Sequence, residues 1–193
     1  FAAKVDFTTG ATPWYVAIGD LDRDGKPDLV VSNWGSNTVS VFRNTSSSGS
    51  ITAGSFATKV DFATGTSPNG LALGDVDGDG KPDLVVANYF SNTVSVFRNT
   101  STSGSITFAA KVDFTTAQNP RSVAISDLDG DDKPDVAVTN FNGNTVSIFR
   151  NTSTSGSIAF DAKVDFATGM TPISVAAGDV DGDGKADLAV ANV

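Results

Sequence analysis

The sequence of 193 residues contains no cysteine, no histidine and no glutamate. These absences exclude disulfide bonds, thiolate and imidazole metal sites, cysteine nucleophiles and any Ser-His-Asp triad. All 22 acidic residues are aspartates, and with 13 Lys and Arg they give a formal net charge of −9. So acidic a chain has no continuous basic surface for phosphates, and we expect no nucleic-acid partner. No apolar run approaches the roughly 20 residues of a membrane helix, so we expect no membrane insertion.

The chain repeats itself along its whole length. The string Lys-Val-Asp-Phe begins at residues 4, 59, 111 and 163, with offsets of 55, 52 and 52. No linker separates the units and their composition is uniform. Such self-similarity predicts one repeat domain over residues 1–193.

Each repeat has the pattern of a strand-rich unit. Gly, Pro and Ser/Thr/Asn runs interrupt it every six to ten residues, which leaves no room for a helix of ordinary length. In the second unit the pattern predicts strands at Leu71–Gly74, Leu84–Asn88, Thr93–Arg98 and Ile106–Phe114. Four antiparallel strands in about fifty residues are typical of a β-propeller blade, with a β-sandwich as the alternative. We therefore predict an all-β fold of about 3.7 propeller blades of 52–55 residues each.

The predicted blades do not close a ring. The division is a partial blade plus blade 1 over 1–55, blade 2 over 56–107, blade 3 over 108–159 and an incomplete blade 4 over 160–193. We expect an outer strand at Phe1–Phe7 and two last strands at Ile173–Gly178 and Leu188–Val193. No strand is left to pair with Phe1–Phe7. The expectation is a segment of a larger propeller, or copies that assemble to complete one.

Four acidic loops carry the clearest chemical signal, the pattern D-x-D-x-D-G-x-x-D. Carboxylates at positions one, three and five of a tight loop converge, a glycine at position six permits the turn, and positions seven and nine add a backbone carbonyl and a further carboxylate. Hard oxygen ligands in a flexible loop suit Ca²⁺ better than Mg²⁺. The predicted ligands are Asp20, Asp22, Asp24, Lys26 and Asp28; Asp75, Asp77, Asp79, Lys81 and Asp83; Asp127, Asp129, Asp131, Lys133 and Asp135; and Asp179, Asp181, Asp183, Lys185 and Asp187.

Two other interpretations of these loops are weaker. An EF-hand has a Glu at position 12 and flanking helices, and this sequence has neither. Four polar turns without an ion would leave four carboxylates in nine residues to repel one another. We therefore predict about four structural Ca²⁺ ions. The third loop, in which Asp132 replaces the glycine of position six, is expected to bind most weakly.

The run from Gly19 to Val31 and its three copies resemble the FG-GAP or VCBS repeat of integrin-α-like β-propellers and secreted bacterial proteins. The resemblance covers essentially the whole chain. It implies that the Asp loop joins the innermost and second strands of each blade. It also implies secretion or cell-surface display, with adhesive or scaffolding roles and an extracellular protein or glycan as partner.

A second surface of interest is predicted on the face opposite the Asp loops. The sequence varies most there, and aromatic residues recur beside asparagines, as in many sugar-binding and protein-binding sites. The alternative is that the rings only seal neighbouring loops. The candidate ligand-binding residues are Trp14, Tyr15, Trp34, Tyr89, Arg121 and Phe141.

Three function classes follow from these features. The leading one is a non-catalytic, calcium-stabilised extracellular module for adhesion, protein interaction or display. The others are a lectin that uses the aromatic face and, more remotely, a Ca²⁺-assisted polysaccharide lyase. Few residue types are left for acid–base chemistry, so we expect no enzyme.

Two further patterns give minor predictions. The Asn-Thr-Ser sequences at Asn44, Asn99 and Asn151 fit either N-glycosylation or a polar turn. The repeated phenylalanines are predicted to be core: Phe42, Phe97, Phe149, Phe7, Phe62, Phe114 and Phe166.

Overall fold

The computed structural model describes residues 3–47 and 49–193, and within these ranges the chain forms strands and turns without a helix. That part of the chain accordingly offers no helix long and apolar enough to cross a membrane. The first sheet contains β1 (Pro13–Gly19), β2 (Asp28–Asn33), β3 (Thr38–Phe42) and β4 (Val60–Ala63). The second contains β5 (Pro68–Gly74), β6 (Asp83–Asn88), β7 (Thr93–Phe97) and β8 (Val112–Thr115). The third contains β9 (Pro120–Ser126), β10 (Asp135–Asn140), β11 (Thr145–Phe149) and β12 (Val164–Ala167). The fourth contains β13 (Pro172–Gly178) and β14 (Asp187–Asn192).

Each sheet is an antiparallel meander, and the predicted all-β fold of four-stranded propeller blades is confirmed. The first strands of successive sheets, β1, β5, β9 and β13, pack against one another. They are therefore the innermost strands, as the family resemblance implied. The Asp loops follow these strands at one end of the blades, which we call the Asp-loop face. The turns between second and third strands, and the connections between blades, lie at the opposite end, which we call the turn face.

The core lies between the sheets because alternate strand residues point at neighbouring blades. Between the first two sheets, Val30, Val39 and Val41 of one blade pack with Leu84 and Phe97 of the next. The interface between the second and third sheets repeats this arrangement. Each blade thus buries its apolar surface against its neighbours, as expected of a repeat protein.

The sheets are offset from the sequence repeats. The unit boundaries at residues 55 and 107 fall between the third and fourth strands of a sheet, because each fourth strand belongs to the following repeat. The predicted fourth strand Ile106–Phe114 is too long at its start. Phe108 makes only an isolated bridge to Asn99, and the ladder to β7 begins at Val112.

The predicted outer strand at Phe1–Phe7 is wrong for its described part, since residues 3–9 form no strand. Those residues have no third strand beside them to complete a ladder. Phe7 nevertheless packs edge-on against Phe56, with ring centroids 5.0 Å apart. This contact matches that of Phe62 with Phe108, also 5.0 Å. Phe7 therefore occupies the position that Phe62 has on β4, although residues 3–9 do not form a strand.

The prediction that Phe166 belongs to the core is also wrong. Phe42, Phe97 and Phe149 are buried, but Phe166 is 55% exposed. In the second interface, Phe160 of the next repeat covers Phe114 at 4.9 Å. The two-stranded fourth sheet has no such residue. Phe166 instead lines an open groove of about 640 Å³ between the third and fourth sheets.

Candidate functional site: four aspartate loops and an aromatic row

Each Asp loop brings three carboxylates together. The ligand atoms of positions one, three and nine lie within 4.8 Å of one another in all four loops. The carboxylate of position five is outside these groups among the described residues, and in the first loop Asp24 accepts the N–H of Lys26. The four groups are Asp20, Asp22 and Asp28; Asp75, Asp77 and Asp83; Asp127, Asp129 and Asp135; and Asp179, Asp181 and Asp187.

The loops are held in this shape by their own backbone. In the second loop, Oδ1 of Asp75 accepts the N–H of Asp79 and Oδ2 accepts that of Gly80. The first and third loops make both of these bonds, and the fourth makes the second. The aspartate of position one therefore organises the turn before any ion is considered.

The aspartate of position nine is the most deeply placed member of the group. Asp83 is fully buried, and its two oxygens accept the N–H groups of Val76 and Asn99 at 2.9 and 2.7 Å. Burial raises its pKa to about 6, although these hydrogen bonds act in the opposite direction. Burial also raises the pKa values of Asp28 and Asp135. Oδ2 of Asp83 also accepts the N–H of Asp77 at 3.3 Å. A carboxylate has about four lone-pair sites, so after accepting three N–H groups it can still face a cation.

Two positions in the loop adopt left-handed backbone. Asp132 has φ of 64°, which confirms that position six needs a positive φ. Position four has the same requirement, which the sequence analysis missed. Gly78 stands there with φ of 72°, whereas Arg23 takes the position in the first loop with φ of 60°. The first and third loops therefore each carry one residue other than glycine in the conformation that favours glycine, Arg23 and Asp132 respectively.

Neighbouring Asp loops are joined by one buried asparagine. The Nδ2 of Asn99 donates to the carbonyl of Pro82 in its own blade at 2.8 Å. It also donates to the carbonyl of Leu21 in the preceding blade at 2.9 Å. Asn151 makes the equivalent bonds to Pro134 and Val76. The asparagines of all three Asn-Thr-Ser sequences are buried in the folded protein.

A second bond between blades ends on the aspartate of position three. Gly104 donates its N–H to Oδ2 of Asp22, and Gly156 donates to Oδ2 of Asp77, both at 2.8 Å. The third loop differs, because Arg150 pairs with Asp129 and also with Asp131, the latter at 2.9 Å. Hydrogen bonding from Arg150 lowers the pKa of Asp129.

The donor set fits a hard divalent cation. Three converging carboxylates would repel one another without a counter-charge, and all the side-chain donors are oxygen, as Ca²⁺ prefers. The groups of the first two loops are largely buried, the third is partly exposed and the fourth is fully exposed. The carbonyls of Lys26, Lys81, Lys133 and Lys185 remain predicted ligands.

The other predicted site lies on the turn face. Trp34, Tyr89 and Phe141 take the same turn position in three consecutive blades, and their centroids lie 5.2 and 6.2 Å apart. Trp14 packs on Trp34 at 5.6 Å, and Phe90 lies 5.0 Å from Tyr89. We call Trp14, Trp34, Tyr89, Phe90 and Phe141 the aromatic row.

Two other predicted members of this surface have different places. Cζ of Arg121 lies 5.1 Å from the ring centroid of Phe141, so Arg121 caps the row. Tyr15 is half-exposed on β1 and lies outside the row. Phe90 was missed because no aromatic residue repeats at its position. A phenylalanine next to Tyr89 in a polar turn was the available signal in the sequence.

The asparagines beside the rings are mostly occupied. Asn33 accepts the N–H of Gly10 and donates to the hydroxyl of Ser40. Asn37 and Asn92 accept N–H groups from the following connection between blades. The lectin prediction relied on these amides, and they are engaged in holding the turns.

The aspartates left over by the Asp loops also have structural partners. Asp61, Asp113 and Asp165 each accept a serine hydroxyl from the third strand and pair with a lysine two residues earlier. They lie on outer strands. Among the described residues, this leaves no second acidic cluster beyond the four loops.

The comparisons with known proteins agree with this architecture. The sequence profile of the FG-GAP-like repeat matches residues 1–31, 24–86, 75–138 and 127–190. No curated protein matches the chain. Among solved structures, BBS1N in complex with ARL6DN is similar with a TM-score of 0.59 at 14% identity, over 96% of this chain and 48% of that one. A functionally unknown protein from Desulfotomaculum acetoxidans DSM 771 is similar with a TM-score of 0.55 at 23% identity, over 81% of this chain and 43% of that one.

These likenesses concern the fold, and the chain spans about half the length of the solved structures that it matches. The profile match covers nearly every residue, with one copy for each Asp loop. The chain therefore belongs to the family of FG-GAP-like repeat proteins.

Proposed function

We propose that this chain is a calcium-stabilised, non-catalytic β-propeller module that is secreted or displayed at the cell surface, where it binds another protein in adhesion or display. The observation that carries the proposal is the fourfold repetition of three converging carboxylates at equivalent positions of the Asp loops. An active site is needed once, whereas a stabilising site gains from repetition in every blade.

The contacts of the Asp loops support a structural role for the ion. The loop joins the two inner strands of a blade and is bonded to the next blade through Asn99 and Gly104, or through Asn151 and Gly156. An ion that fixes the carboxylates would therefore stabilise both a hairpin and an interface. Binding only to the folded form adds about 2.7 kcal/mol per site when free Ca²⁺ is 100 times Kd. Extracellular modules have Kd values near 10⁻⁴–10⁻³ M. At about 1 mM free Ca²⁺ such a site would contribute about 0.4–1.4 kcal/mol.

A protein-interaction role is supported by analogy and by the available surface. The similar BBS1N structure is one of a propeller-like chain in complex with another protein, ARL6DN. The turn face of this chain exposes large aromatic side chains, whereas the Asp-loop face is committed to its own loops.

Chelation tests the proposal. Thermal unfolding of the Ca²⁺-loaded protein should show a melting temperature lower by more than about 10 °C in excess chelator. Titration of stripped protein should approach four equivalents of Ca²⁺. The variant Asp61→Asn, which changes an outer-strand aspartate, should show the same chelator response as the natural sequence. An unchanged melting temperature, with metal removal verified by elemental analysis, would show that the ions are not structural.

A further inference from the structure

The turn face is almost free of charge. Its segments are 8–14, 33–38, 63–70, 88–93, 115–121, 140–145 and 167–173. Arg121 is the only charged residue in them, although the chain holds 22 Asp and 13 Lys and Arg. Depletion of charge with enrichment of Trp, Tyr, Phe and Arg is the composition of the buried centre of a protein interface.

The aromatic row remains accessible on this uncharged face. Trp14 is 53% exposed and Phe90 is 61% exposed, while Trp34, Tyr89 and Phe141 are half-buried. Each ring is supported by the next, at centroid distances of 5.0 to 6.2 Å. In the described part of the chain, no side-chain hydrogen bond uses the indole N–H groups or the hydroxyl of Tyr89. Rigid rings of this kind lose little conformational entropy on binding and supply large contact areas.

The polar groups around the row argue against a glycan and for a protein. Sugar recognition needs free hydrogen-bonding groups placed beside the rings. The amides of Asn33, Asn92 and Asn119 are instead bonded within and between blades. The row itself offers ring surface, indole N–H groups, the hydroxyl of Tyr89 and the guanidinium of Arg121.

We propose that the aromatic row and Arg121 form a docking surface for a protein segment that carries aliphatic or aromatic side chains and a carboxylate. The apolar side chains pack on Trp34, Tyr89 and Phe90, and the carboxylate pairs with Arg121 at the end of the row. Arg121 already lies over the ring of Phe141, which orients its guanidinium group. This inference rests on the proposed interaction role and assigns it a surface and a partner chemistry.

The two tryptophans of the chain are both in the row, so tryptophan emission reports on this surface alone. A phage-displayed random 12-residue peptide library is selected on the Ca²⁺-loaded protein, and enriched peptides are synthesised. We expect peptides with at least two aliphatic or aromatic residues and an Asp or Glu, whose binding changes the tryptophan emission. Tyr89→Ser should weaken binding at least about tenfold, and Arg121→Ala about fivefold or more.

The control variant is Phe166→Ser, because Phe166 is about as exposed as Trp14 and Phe90 but lies on the outer strand β12 and is not a member of the row. It should leave binding and emission unchanged. Each variant is compared at a verified Ca²⁺-loaded melting temperature, so loss of binding without loss of fold supports the proposal. Selection of no peptide, of peptides that bind Tyr89→Ser equally well, or of peptides that leave tryptophan emission unchanged would overturn it. Binding of defined oligosaccharides on a glycan array, if abolished by Tyr89→Ser, would overturn it in favour of a lectin. The chelation experiment is independent of all these outcomes.

Discussion

At the scale of single residues, Asn140 shows how one methyl group disturbs a repeated contact. The equivalent residues Asn33 and Asn88 accept the N–H of Gly10 and Gly65 with their Oδ1 atoms. A Cβ atom on Gly10 would lie 2.7 Å from Cγ of Asn33. The third blade has Ala117 at this position, and Oδ1 of Asn140 is buried without a hydrogen-bond partner.

Replacing Ala117→Gly should therefore stabilise the protein. A satisfied buried acceptor contributes about 1–3 kcal/mol, and the added backbone freedom of glycine costs about 0.4–1 kcal/mol. We expect a gain of about 1 kcal/mol in the free energy of unfolding, measured by urea denaturation. The reciprocal change Gly65→Ala should destabilise the second blade. A loss of stability in Ala117→Gly would refute this account.

A second residue-scale prediction concerns the buried carboxyl of Asp83. Its pKa of about 6 in the folded protein exceeds the ordinary value of 3.8, so the folded state binds its proton more tightly than the unfolded state. The stability this provides is present at low pH and is lost as pH rises toward and through 6. Metal-free protein should accordingly be more stable at pH 5 than at pH 7, by about 1 kcal/mol.

The same titration should act in the opposite sense on calcium binding, because the ligand must be ionised. Ca²⁺ affinity should fall between pH 7 and pH 5. Asp83→Asn should reduce the pH dependence of the metal-free protein in urea denaturation. Equal stability of the metal-free protein at the two pH values would contradict the prediction.

At the scale of structural elements, the bond between Asp loops is testable with a matched pair of asparagines. Asn44 and Asn99 make the same bonds within their own blades, to Pro27 and Pro82 respectively. Only Asn99 also donates to a preceding loop, through the fully buried Leu21. The difference between the two alanine variants therefore isolates the bond between blades.

Asn99→Ala should lower the free energy of unfolding by about 1–2 kcal/mol more than Asn44→Ala, because it leaves a buried carbonyl without a donor. Chemical denaturation at saturating Ca²⁺ measures both. Hydrogen exchange should also show faster exchange in the first Asp loop of Asn99→Ala. Equal destabilisation by the two changes would mean that the blades are held by their apolar contacts alone.

At the scale of the whole molecule, the four Asp loops are alike in sequence and different in surroundings. Asp77 is buried and accepts a bond from the next blade, whereas Asp181 is exposed. A buried cluster is less screened by water, so its cation is held more strongly. We expect Asp77→Asn to lower the free energy of unfolding in saturating Ca²⁺ by about 2 kcal/mol more than Asp181→Asn. Equal losses in the free energy of unfolding would show that burial of an Asp loop does not determine how much its ion stabilises the protein.

We still expect the third loop to bind Ca²⁺ most weakly, and the structure adds a reason. Asp132 holds the strained left-handed conformation, and Arg150 neutralises two of the predicted ligands. Both Asp132→Gly and Arg150→Ala should strengthen Ca²⁺ binding at this site in calorimetric titration. Unchanged Ca²⁺ affinity in both variants would contradict the prediction that these two residues weaken binding at the third loop.

The sequence by itself determined the features that depend on local pattern. Alternation of apolar residues and repeated turn residues predicted the strands and their grouping into blades, and the spacing of the Asp residues predicted carboxylates that converge. These features could be predicted because each arises within a single repeat of about fifty residues.

Only the tertiary structure decided the features that arise between repeats. The bond from Asn99 to Leu21 depends on a partner 78 residues away. The exposure of Phe166, the pairing of Arg150 with Asp129 and the assembly of single aromatic residues into one row also depend on what the neighbouring blade provides. Identical repeat sequences can therefore have different environments, because the burial and bonding of a residue are set by the surface that packs against it.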